Sequence, residues 1–220
     1  MIAEGRIDVN GETIVKLPCF VDPESDEISI DGHRVRSTHH KLVYFLLNKP
    51  KGVVCSSSDP QGRPVAVDMI PSIKERIHCV GRLDVDSTGI MLLTNDGDLT
   101  QHLTHPSHEV TKTYRVTVSG RVESDSIEKI KSGIYLDGKR TQGADATIIR
   151  RGTNDSVLEI TLREGRNREI RRILLRLRHG VRKLHRTKIG PIDDKGLKVG
   201  NVRSLTPREV RLLRKAGISK

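Results

Sequence analysis

From Leu158 to Gly180 the chain reads LEITLREGRNREIRRILLRLRHG, and its hydrophobic period changes part-way through. Leu158, Ile160 and Leu162 alternate with polar neighbours, the period of a strand with one buried face. Beyond EGRN, residues Ile170, Ile173, Leu174 and Leu177 form one stripe at helical spacing, with Asn167 expected to cap the helix and Gly180 to end it. At about 100° per residue, Arg171 falls between Leu174 and Leu175 at the border of that stripe, whereas Arg172 and Arg176 point away. A guanidinium held half buried needs a carboxylate, so Arg171 is expected to reach one from a neighbouring element.

Strands and helices mix elsewhere too. YFLLNKP reads as a buried strand stopped by Pro50, and IHCVG and GIMLLTN as two more apolar runs. In KTYRVTVSG, Tyr114 shares a face with Val116 and Val118. A helix is expected over about Ser124–Ser132, stopped by Gly133. The last helix opens T-P-R-E, with Thr206 as cap, Pro207 in the first position and Glu209 completing a capping box. The first 36 residues read as a small β unit with N-G and D-G turns. Without regular βαβ alternation, the chain is read as α+β rather than doubly wound.

The net charge of +11 is unevenly spread. Residues 1–36 hold eight acids and four bases (−4), residues 37–162 sixteen bases and fifteen acids (+1), and the remainder +14. The stretch 163–188 alone has eleven Arg or Lys against two Glu, a density expected of a surface that binds nucleic acid. Arg166, Arg168, Arg172, Arg176, Arg182 and Lys183 are its candidate RNA contacts. No run is long and apolar enough to span a membrane, and no signal peptide is seen, so the chain is read as cytoplasmic. Cys19, Cys55 and Cys79 show no C-x-x-C spacing, and the nine histidines no ligand spacing, so neither a disulfide nor a metal site is expected.

Chemistry concentrates in GRLDVDSTGIMLLTNDGDL, residues 81–99. Asp84 there admits three readings. D-x-D-x-T fits a phosphatase loop of the haloacid-dehalogenase kind, but Arg82 interrupts the strand that should precede it and Gly89 stands where an apolar residue belongs. A calcium loop would need a bidentate Glu at its twelfth position, which is Asn95. The third reading is a lone carboxylate in a cleft that modifies RNA. Asp86 is read as an ordinary loop residue, and Asp96 and Asp98 as acids at a helix start.

These segments, with HPSHEVTKTYRV and LREGRNREIRRIL following in that order, resemble the three motif regions of the bacterial ribosomal RNA pseudouridine synthases over about residues 42–216. The resemblance implies the pseudouridine synthase fold, a mixed, mainly antiparallel sheet with flanking helices, and isomerisation of a uridine in ribosomal RNA without metal or cofactor. It assigns Asp84 as the essential carboxylate, Tyr114 as the ring that stacks on the target base and takes part in proton removal, and Arg171 as the partner of the aspartate. Arg82 would contact the flanking phosphate. A direct Asp84–Arg171 pair at about 2.7–3.2 Å is expected, with Arg172 and Arg176 left to solvent or RNA. Residues 1–36 resemble the later part of an S-four-like RNA-binding domain without its leading basic helices, with 37–41 as linker and 42–220 as the catalytic domain; either the chain is truncated or RNA docks mainly on the C-terminal half. A monomer is expected.

Overall fold

The computed structural model describes residues 1–22, 25–35, 41–71 and 73–217, divided into two compact units, Met1–Lys41 and Leu42–Lys220. All but Lys41 of the expected linker lies outside the described residues. In the first unit, β1 (Ile7–Val9), β2 (Glu12–Ile14), β3 (Ile28–Ile30) and β4 (His33–Arg34) form an antiparallel sheet in the order β2-β1-β3-β4. Both two-residue turns are x-Gly with positive φ throughout, Asn10-Gly11 (51° and 82°) and Asp31-Gly32 (51° and 75°), the hairpin geometry those dipeptides favour.

The second unit contains β5 (Tyr44–Lys49), β6 (His78–Cys79), β7 (Thr88–Thr94), α1 (Gly97–Thr104), β8 (Lys112–Ser119), α2 (Ser124–Ser132), β9 (Tyr135–Leu136), β10 (Lys139–Arg140), β11 (Asp145–Arg151), β12 (Asp155–Leu162), α3 (Glu169–Arg176), β13 (Val181–Ile189), β14 (Ile192–Asp193), β15 (Val202–Ser204) and α4 (Pro207–Arg214). Its main sheet runs β11-β12-β8-β13-β7-β5-β15 and is antiparallel except at β13/β7. It is thus the expected α+β arrangement.

Burial explains the two kinds of strand seen in the sequence. β8 and β12 alternate because one face lies on the core formed by Val116, Val118, Leu158 and Ile160 with Ile173 and Leu174 of α3. In contrast, the runs Phe45–Leu47 of β5 and Ile90–Leu93 of β7 are apolar without alternation because both faces are covered. Leu46, Ile90 and Leu92 enter a cluster with Leu99, Leu103 and Leu213, while Leu47, Met91 and Leu93 enter another with Ile70 and Ile77.

The parallel seam depends on Gly89, paired in register with Arg186. Its φ is +116°, and a Cβ there would lie 2.3 Å from the Arg186 carbonyl oxygen and 2.4 Å from its nitrogen, so no side chain fits. At the far end, Thr206 and Glu209 form the expected capping box, and Arg214 of α4 and the Tyr44 hydroxyl of β5 both donate to buried Asp96, at 2.6 and 2.8 Å. Asp96 also caps α1 by accepting from the Leu99 N–H.

The expectation that Asn167 starts α3 and Gly180 ends it is corrected. Arg168, at φ 50°, is the N-cap, because the Glu169 carboxylate turns back to accept the Arg166 N–H at 3.1 Å and so closes the EGRN loop one residue later. The helix ends where Arg178, at φ 64°, lets the His179 and Arg178 N–H groups reach the Leu174 and Leu175 carbonyls at 2.8 and 2.9 Å.

Candidate active site

Asp84 lies in the loop between β6 and β7, held from below. The Cys55 thiol donates to the Leu83 carbonyl at 3.2 Å and accepts its N–H at 3.3 Å, clamping the residue before Asp84. The loop closes on itself where the Ser87 N–H bonds the Asp84 carbonyl at 3.0 Å. Lys49, fully buried, donates to the carbonyls of Pro50 and Val53, both at 2.9 Å, and burial lowers its pKa.

Two adjoining cavities meet at Asp84. The inner one, about 190 Å³, is walled by Tyr114, Lys112, Leu103, Leu162, Leu184 and Arg186. The outer one, about 760 Å³, opens between Lys51, Cys55 and Asp86 on one side and Arg166, Asn167 and Arg168 on the other. Arg82, Arg166 and Arg168 line both cavities.

The expected Asp84–Arg171 ion pair is present but longer than expected, and other partners share it. Arg171 is nearly buried, as the helical wheel indicates, but its Nε stands 3.5 Å from Asp84 Oδ2 and makes no hydrogen bond. Its terminal nitrogen forms an ion pair with Asp86 at 2.9 Å and donates to the Ser87 hydroxyl at 3.2 Å. Arg168 supplies the hydrogen bond to Asp84, at 3.2 Å. The late start of α3 accounts for this: with Arg168 as N-cap, its side chain projects over the aspartate loop, and Arg171, one turn on, meets the loop at Asp86. Asp86 is therefore part of the site rather than an idle loop residue.

Of the candidate RNA contacts, Arg172 pairs with Asp137, and Arg166 bonds Glu164 at 2.8 Å and the Arg140 carbonyl at 3.2 Å. Arg82, Arg168, Arg176, Arg182 and Lys183 are exposed. Beneath the EGRN loop, the Glu169 carboxyl is pushed up to about 8 by burial and by neighbouring Glu164. Glu164, although burial pushes it the other way, is held low by the Glu169 proton, the Gln142 N–H and Arg166. The two neighbouring carboxyls are thus pushed in opposite directions, Glu169 up and Glu164 down.

Lys112 and Arg186 escaped the sequence reading. Lys112 is two residues before Tyr114 on a strand whose period is two, and Arg186 two residues after Leu184 on the inward face of β13. That spacing is the signal that would have placed both in the core; a cation in a basic stretch reads instead as solvated. In register Arg186 lies directly opposite Tyr114.

With this geometry the relatives can be compared. The sequence profile of the RNA pseudouridylate synthase family matches residues 43–176, which hold Asp84, Tyr114 and Arg171. The chain belongs to this family. The synthase is 38% identical over 97% of its length to the ribosomal large subunit pseudouridine synthase B of Bacillus subtilis (strain 168), covering 87% of that protein. It is 34% identical over 95% of its length to the ribosomal small subunit pseudouridine synthase A of Escherichia coli (strain K12), covering 89% of it. A crystal structure of a pseudouridylate synthase superposes with a TM-score of 0.74 at 34% identity, over 96% of this chain and 90% of the other. The resemblance read from the three motifs is therefore correct, and this synthase is an RNA-modifying isomerase.

Proposed function

We propose that the synthase converts a uridine of ribosomal RNA to pseudouridine with Asp84 as the catalytic carboxylate. What carries the reading is the position of Asp84 on the rim shared by a base-sized inner cavity and an open outer one. A uridine within a helix hides its glycosidic bond, so the nucleotide must be extruded, and Tyr114 offers the wall on which a flipped base stacks. Breaking N1–C1′ builds positive charge on the ribose, which the Asp84 carboxylate stabilises or captures, as carboxylates do in glycoside cleavage. The released uracil turns, C5 bonds to C1′, the C5 proton is lost and N1 takes one up. Tyr114, at the base face, is placed to take part in that proton removal. Arg168 and Arg171, at 3.2 and 3.5 Å, aim the Asp84 side chain, without metal or cofactor.

RNA reaches the site across Arg82 and Arg168, with Arg176, Arg182 and Lys183 on phosphates further out. The first unit serves as an S-four-like RNA-binding unit, and the enzyme works as a monomer in the cytoplasm, where light scattering with and without RNA checks its state. The relatives' names include both subunits, so both ribosomal RNAs are the substrates to test. Asp84→Asn keeps shape and removes charge; pseudouridine formation measured by mass spectrometry should vanish while RNA affinity stays within about twofold. Turnover by Asp84→Asn, or loss of wild-type turnover on adding chelator, would overturn the assignment.

A further inference from the structure

Lys112 and Arg186 are two cations on the inner cavity wall with no carboxylate bonded to either among the described residues. Arg186 is 4% exposed; its Nε donates to the Ile90 carbonyl at 2.7 Å, and one terminal nitrogen is buried with no hydrogen-bond partner. Lys112 donates one bond, to the Leu103 carbonyl at 3.2 Å, leaving two N–H directions open. Burying a guanidinium nitrogen unpaired is costly, so its presence beside Tyr114 points to a partner that arrives with the substrate.

We propose that Lys112 and Arg186 form an anion site for the uracil released from the ribose, making both catalytic residues of this reaction. The proposal rests on Asp84 and Tyr114 acting as above. When N1–C1′ breaks, the bonding pair leaves with uracil, and the anion spreads over N1 and the two carbonyl oxygens while C1′ is held by Asp84. No proton moves to or from Lys112; its charge and that of Arg186 lower the energy of the anion. A base stacked on Tyr114 lies with its edge towards Arg186, its cross-strand neighbour, and Lys112, on the same face two residues away. The ammonium of Lys112, a compact charge on a flexible stem, can follow a ring that turns between losing N1 and presenting C5, while the anchored guanidinium of Arg186 stays as a fixed charge beside it.

Burial, and next the repulsion of Arg186, push Lys112 down to about 8. It therefore loses its charge as pH rises through that value, and kcat/KM, which reports the free enzyme, should fall there. Facing it across the cavity are Asp84 and Arg82 of the loop, Tyr114 and Arg186 of the sheet, and Arg166, Arg168 and Glu169 at the start of α3. Glu169 titrates in the same range, so the decisive control is Lys112→Arg, which keeps the charge at all pH.

The test compares single-turnover cleavage of the N1-linked base in RNA carrying uridine or 5-fluorouridine, whose more acidic base leaves with less help. Lys112→Met should slow the uridine substrate by about 10²-fold, the usual loss of one preorganised group facing a developing anion, with RNA affinity unchanged. The loss should shrink at least tenfold on 5-fluorouridine. Lys112→Arg should retain most of the rate and lose the fall above about pH 8; Arg186→Lys should be partly active and Arg186→Met not. Equal loss on both substrates, a wild-type rate in Lys112→Met, or a high-pH fall that persists in Lys112→Arg would overturn the proposal. Should Lys112→Met fail to fold by circular dichroism, the pH profiles of wild type and Lys112→Arg decide alone. Asp84→Asn run alongside separates the two readings: if it turns over, the site assignment fails, and if it is inactive while Lys112→Met is normal, only the anion site does.

Discussion

Gly89→Ala places one methyl group where β7 and β13 touch. The new Cβ would sit 2.3 Å from the Arg186 carbonyl oxygen and 2.4 Å from its nitrogen, so the strands must part by roughly 1 Å, an overpacking worth about 1–3 kcal/mol. The backbone at φ +116° adds about 1–3 kcal/mol of strain for an L residue. Together these cost about 2–6 kcal/mol against a total stability of about 5–15 kcal/mol, so the variant should fold but melt early. With no tryptophan in the chain, urea denaturation is best followed by circular dichroism. At an m-value of about 3 kcal/mol/M, a loss of about 4 kcal/mol lowers the midpoint by about 1.3 M. The folded fraction should also be slow, because the displaced backbone carries Arg186. Gly97→Ala is the control: it begins α1 in open space with no positive φ, and should be neutral or slightly stabilising. A Gly89→Ala midpoint within about 0.2 M of wild type would refute the argument that close approach fixes this residue.

Three further outcomes are expected. Glu169 has its folded pKa raised to about 8, so its contribution to stability is complete below about pH 4.5 and is lost as pH rises through about 8, by at most about 1.4 kcal/mol per pH unit. Glu169→Gln, which keeps the shape and cannot titrate, should flatten the thermal stability profile over that window, and an unchanged slope would show that Glu169 is not the group responsible. Arg171→Ala leaves Asp86 without its 2.9 Å partner and loosens the Asp84 loop, so it should reduce both melting temperature and turnover, whereas Arg172→Ala removes an exposed pair with Asp137 and should cost under about 1 kcal/mol; equal effects would contradict the assignment. Neutralising Arg182 with Lys183, both exposed on β13, should flatten the log-log salt dependence of RNA binding by about two units if each meets a phosphate, as filter binding across a salt series would show.

Much of the fold was readable because local periodicity and local chemistry agreed. The alternation of β8 and β12, the stripe of α3, the Thr206 capping box and the N-G and D-G hairpins each depend on residues close in sequence. What was not readable depends on distance. That Gly89 faces Arg186 requires knowing that two strands almost a hundred residues apart run parallel. The helical wheel correctly buried Arg171 but could not say which carboxylate it meets, because the cap is set by Glu169 folding back on Arg166, a contact that makes Arg168 rather than Asn167 the cap. Lys112 and Arg186 lay on inward faces all along, hidden by the habit of reading cations as surface.

The sheet order also bears on how the chain is made. β5, near the start of the second unit, is flanked on one side by β7 and on the other by β15, and Asp96 stays 4% exposed under Tyr44 and Arg214. During synthesis β5 emerges early, with one row of N–H and C=O groups unmatched and Asp96 lacking its arginine until residues 202–214 follow. The second unit therefore cannot complete its sheet one segment at a time as it leaves the ribosome; it waits for pairings of very long sequence separation, the slow and association-prone kind. A nascent chain arrested before Val202 should accordingly expose the β5 edge to chaperones, and folding should finish only once the distant strand and helix have been released.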